Sequence, residues 1–118
     1  MRVWIPTTLA DLAETHAAGE LPPGEGRLSA ADDDEESEYA ALVEATAASA
    51  ALLAGRGEPG GRRTVLVVEL PDGADPDGAV EMRRVQAVHV DTREHADEDD
   101  DLGWFATQEV PFLLRGEL

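Results

Sequence analysis

Asp32-Asp33-Asp34-Glu35-Glu36-Ser37-Glu38-Tyr39-Ala40-Ala41-Leu42-Val43-Glu44-Ala45-Thr46-Ala47-Ala48-Ser49-Ala50-Ala51-Leu52-Leu53-Ala54 contains no glycine or proline and leads into the longest uninterrupted helical pattern of the chain. Alanine, the best helix former, fills eight of these positions, the acids sit where the helix dipole is positive, and Gly55 stands ready to end the turn. Spaced at helical period, Tyr39, Leu42, Val43, Thr46, Ala50 and Leu53 form one stripe, which predicts the core-facing side. The other side, Ala41, Glu44, Ala45, Ala48, Ala51 and Leu52, is smooth and weakly polar, and is expected to meet solvent or a second molecule.

Strands are expected on both sides of this helix. Thr64 to Leu70 contains Val65, Leu66, Val67 and Val68 without alternation, the pattern of a central strand covered on both faces. Arg84 to Val90 alternates, with Val85, Ala87 and His89 on one face and Gln86, Val88 and Val90 on the other. Met1 to Ile5 reads as a short strand ended by Pro6, and Arg27 to Ser29 as a short strand preceding the long helix. Thr8 followed by Asp11 has capping-box spacing, so a helix is expected to about Ala18, with Leu9, Leu12, Ala13 and His16 inward and Gly19 closing it. Leu102 to Leu114 is expected to dock as a partly extended tail. The order predicts one α+β domain over residues 1–118, a small mixed or antiparallel sheet with two main helices packed on one face, a ferredoxin-like arrangement being one candidate. Flexible acidic loops are expected near 71–79 and 91–101.

The chain has 118 residues, no cysteine and a net charge of −17, so disulfides, thiolate metal sites and cysteine nucleophiles are excluded, and nucleic acid or anionic membrane is disfavoured as a partner. The apolar run at the start is far below membrane-span length, which predicts a cytoplasmic protein. All nine basic residues are arginine, usage expected of a high-GC bacterial genome, and acid enrichment without lysine is expected equally of a protein adapted to salt.

Met1-Arg2-Val3-Trp4-Ile5-Pro6-Thr7-Thr8-Leu9, Glu38-Tyr39-Ala40-Ala41, Val88-His89-Val90-Asp91 and Asp101-Leu102-Gly103-Trp104-Phe105 together resemble a family of small acidic proteins of unknown function from high-GC bacteria. The resemblance implies a shared fold and a bacterial cytoplasmic setting, and transfers no catalytic residue.

His89, Asp91 and His95 are close in sequence and would give three donors for a divalent metal, the centre of a metal-dependent or histidine-assisted enzyme. Asp72, Asp75 and Asp77 fail the calcium-loop register, which would put Gly73 first and Arg84 twelfth. The glycine-rich Gly55 to Thr64 follows a helix and lacks lysine, so it is no phosphate loop. No nucleophile elbow or cofactor motif is present. The preferred expectation is therefore a non-catalytic protein that binds a basic protein or itself, with Asp32, Asp33, Asp34, Glu35, Glu36, Asp99, Asp100 and Asp101 as the interaction surface. A DNA-mimic inhibitor of a basic protein is the further alternative.

Overall fold

The computed structural model describes all 118 residues. Five strands form one antiparallel sheet in the order β3-β1-β4-β6-β7, where β1 is Arg2–Thr7, β3 Leu28–Ser29, β4 Thr64–Glu69, β6 Val85–Val90 and β7 Gly103–Ala106. A second, two-stranded ladder pairs β2 (Glu20–Leu21) with β5 (Val80–Glu81). Three helices complete the α+β fold: α1 (Leu9–Ala18), α2 (Glu35–Gly55) and α3 (Val110–Leu114). The expected central strand is β4, whose Thr64 to Val68 are all buried between layers.

Strand alternation sends successive side chains to opposite faces, and each face has its own cluster. On one face Val3, Ile5, Leu66, Val68, Val88 and Val90 meet Leu12 of α1, Leu21 and Val80 of the small ladder, and Val110 and Leu113 of α3. On the other face Trp4, Val65, Val67 and Ala87 meet Ala41 and Ala45 of α2. The antiparallel sheet matches the sequence reading, but α1 and α2 lie on opposite faces rather than sharing one. A ferredoxin-like arrangement does not fit either, because it packs both helices on one face of its antiparallel sheet, whereas Leu12 of α1 and Ala41 and Ala45 of α2 pack on opposite faces here.

Local signals in the first helix act as expected. Thr8 Oγ1 accepts from the Asp11 N–H at 3.1 Å, and Gly19 adopts φ 79° while its N–H donates to Thr15 O. The inner residues are Leu12 and Thr15; Ala13 and His16 are exposed. The tail over Leu102 to Leu114 is extended only at Gly103–Ala106 and helical from Thr107 to Leu114; Pro111 does not prevent this, since it stands in the first turn of α3, where its missing N–H has no helical partner to lose.

The rotation of α2 departs from expectation. Its buried residues are Ala41, Ala45, Ser49 and Leu53, while Tyr39 is 58% and Val43 49% exposed. Leu42, Thr46 and Ala50 are half-buried along the flank. The reason is steric: Trp4 projects from the sheet beneath the helix and fills the space there, so close packing requires small side chains on the helix at that interface. In this alanine-rich helix the bulky Tyr39, Leu42 and Val43 are then left for the flank, and Leu53 is the one large side chain that is buried.

Ser49 is fully buried and joins three elements. Its hydroxyl donates to Thr7 O at 2.7 Å and accepts from the Thr64 N–H at 2.8 Å, so α2 is tied to the paired ends of β1 and β4. Ser49→Ala leaves a buried N–H and a carbonyl without that partner and is expected to destabilise by about 1–3 kcal/mol. Urea unfolding of the variant against the parent checks this, and an unchanged midpoint would refute the bridging role.

Candidate functional site

Helix α2 covers β3, β1 and β4 but, beyond Ala87, leaves most of the same face of β6 and β7 open. The register sets what that open face displays. Ala87 lies opposite Ala106, and His89 sits between Val65 on β4 and Trp104 on β7, which puts the imidazole and the indole side by side. A bulge adds a second refinement. Val67 pairs with Ala87 and Val68 with Val85, so Gln86 is the extra residue, and Val85 turns to join Val88 and Val90 in the core. The alternation expected for Val85 and Gln86 is therefore inverted, while that of Ala87 to Val90 holds.

Along the flank of α2 two adjoining pockets, of about 380 and 460 Å³, share Tyr39 and Leu42 in their linings and together make a groove, the first against the open half-sheet and the second against the acidic loop. The first part is floored by Trp4, Val67 and Ala87 and walled by Trp104, His89 and Arg2. The second follows the outer flank of α2 along Val43, Ala47 and Ala50 and is closed by Glu98 to Asp101. The chain has two tryptophans and one tyrosine in all, and every one of them lines this groove. Trp104 is 61% exposed, and neither it nor Tyr39 is needed to fill a core.

Polar groups at the groove are mostly engaged. Arg2 donates to both oxygens of Glu38 at 3.1 Å and to Glu69 at 3.3 Å. The Tyr39 hydroxyl donates to Asp101 Oδ1 at 3.4 Å, linking α2 to the acidic loop. Burial holds His89 below the ordinary histidine range, so its neutral imidazole is favoured in the folded protein. The unfolded chain binds the extra proton more readily, so between the two pKa values stability rises with pH. Acidification from above about 6.5 through the folded value is therefore expected to destabilise the parent more than His89→Gln. The comparison with the variant matters because acid also relieves the repulsion of the −17 charge in both proteins. Denaturation midpoints at a series of pH values measure it; identical profiles would refute the burial effect.

The expected metal trio does not assemble. No group of three His, Asp or Glu side chains is placed to hold an ion. Asp91 is buried and bound by Arg63, whose Nε and Nη2 donate to its two oxygens and whose backbone N–H donates to Oδ2, all at 2.8 Å. His95 is exposed with φ 55°, its N–H donates to Gly60 O, and its ring lies against Gly60 and does not line the groove. Only His89 faces the groove.

The acids expected to form an interaction surface divide into two sets. Asp32 to Glu36 lead into α2, where Asp34 Oδ1 caps the helix by accepting from the Ser37 N–H at 2.7 Å; that bond holds the carboxyl below its usual range. Asp99, Asp100 and Asp101 line the groove. Asp100 also binds Arg93 and the Asp97 N–H. What the sequence did not reveal is that Trp4, Tyr39, His89 and Trp104 converge; the alignment of His89 with Trp104 becomes visible only once Gly103–Ala106 is known to pair with β6.

No helix is long and apolar enough to cross a membrane. No curated protein and no solved structure matches the chain. One protein family does, over residues 1–114, and the chain belongs to it: a family of unknown function (DUF6912).

Proposed function

We propose that this is a non-catalytic, cytoplasmic bacterial protein that recognises another protein through the groove between α2 and the open half of the sheet. The observation that carries the reading is the convergence of both tryptophans and the sole tyrosine on one exposed groove in a chain with so few aromatics. Aromatic side chains at interfaces supply large contact area with little conformational freedom to lose, and they dominate binding energy where they occur. The enzyme alternative loses its centre, because Asp91 is consumed by Arg63 and His95 lies elsewhere. The acids stand largely in loops and at a helix start, which gives a DNA mimic no regular double row to present.

Immobilised parent and Trp104→Ser proteins, offered native-host lysate at low and high salt, test the reading. Trp104 is exposed, so the variant should keep the parent circular dichroism spectrum. The expected result is a protein retained by the parent and lost from the variant. Equal capture by both would overturn the groove as the recognition surface.

A further inference from the structure

We infer that the groove takes a basic, amphipathic segment of a different protein, an inference that rests on the groove reading above and adds the chemistry of its occupant. Five carboxylates line the two adjoining parts, those of Glu38, Glu98, Asp99, Asp100 and Asp101, against two guanidiniums. Both guanidiniums are already neutralised, Arg2 by Glu38 and Glu69 and Arg63 by Asp91. The Glu98 and Asp99 side chains have neither a hydrogen bond nor a salt bridge within the chain, and both are exposed at the wall. Opposite this wall the flank of α2 is largely apolar, formed by Leu42, Val43, Ala47 and Ala50. A segment with apolar residues on one side and arginine or lysine on the other matches both surfaces at once.

The aromatic rims favour the same charge. A guanidinium or ammonium over the face of an indole or phenol is attracted by the ring quadrupole, and exposed Trp104 and Tyr39 offer such faces beside carboxylates. A second copy of the chain fits poorly by comparison, because it would bring another −17 charge towards an acidic wall.

The probes are three synthetic peptides of equal length, leucine alternating with arginine, with glutamine or with glutamate, titrated into the ¹⁵N-labelled full chain at about 0.15 M salt. Two indole N–H signals, from Trp4 and Trp104, report on the groove directly. The expected result is saturable binding of the arginine peptide that moves the Trp104 indole, weakens roughly tenfold in Trp104→Ser, and weakens several-fold in Glu98→Gln/Asp99→Asn. Equal binding of the glutamine peptide at the same signals would leave the groove standing and overturn the basic occupant. Arginine-peptide binding that ignores Trp104→Ser and moves only loop amides would overturn the groove itself. No binding by any peptide overturns the inference. A parent dimer broken by Trp104→Ser would assign the groove to a second copy and likewise overturn it.

Discussion

Arg63→Ala is expected to destabilise the protein by about 3–5 kcal/mol, a large share of the roughly 5–15 kcal/mol that holds a domain of this size together. Arg63 and Asp91 are both more than nine-tenths buried, and their pairing satisfies both carboxylate oxygens. Deleting the guanidinium leaves a buried carboxylate with one backbone N–H and no counter-charge. The same guanidinium also donates to the carbonyls of Asp97, Glu98 and Asp100 at 2.9, 3.1 and 3.2 Å, so it fastens the acidic loop that forms the groove wall. Two measurements follow from the two roles. Chemical denaturation should show the stability loss, and amide exchange should accelerate across residues 97–101 before global unfolding. Arg63→Leu combined with Asp91→Leu should recover part of the stability, because an apolar pair has no ion to desolvate, yet it should leave the loop amides unprotected. Full protection in that double variant would mean that the loop holds itself.

This ion pair also shows where the sequence stops being informative. Thr64 faces Val90 in the ladder, so Arg63 and Asp91 are the next opposed pair, and the Asp91 N–H extends the ladder by donating to Arg63 O at 3.0 Å. Both strands were legible from their apolar residues, but the register between them was not, since sliding either strand by two residues preserves its faces. Asp91 therefore read as a free carboxylate near two histidines. The bulge at Gln86 was hidden for the same reason: it exists only as a mismatch between two strands. In contrast, the Thr8 cap, the Gly19 terminus and the central β4 depend on nearby residues alone, and each was readable from them. The groove needed the most tertiary information, because its aromatic residues come from β1, α2 and β7.

The face that α2 turns to the sheet can be decided by placing one charge at three successive points around it. Ala45 has no exposed surface, Leu42 is half-buried at the groove, and Val43 is 49% exposed. Glutamate at position 45 must enter a close-packed space against Trp4, Val65 and Val67, adding overpacking of about 1–3 kcal/mol to an unpaired buried charge that costs several more. Ala45→Glu is therefore expected to unfold the protein or to leave it marginal at room temperature. Val43→Glu keeps its carboxylate in water and should stay within about 0.5 kcal/mol of the parent. Leu42→Glu should fall between, since its carboxylate can reach solvent through the groove while its lost apolar contact is partial. Thermal unfolding followed by circular dichroism orders the three. If Val43→Glu proved the most damaging, the bulky stripe of Tyr39, Leu42 and Val43 would be the inward one after all, and the groove they line would be filled by the protein's own core.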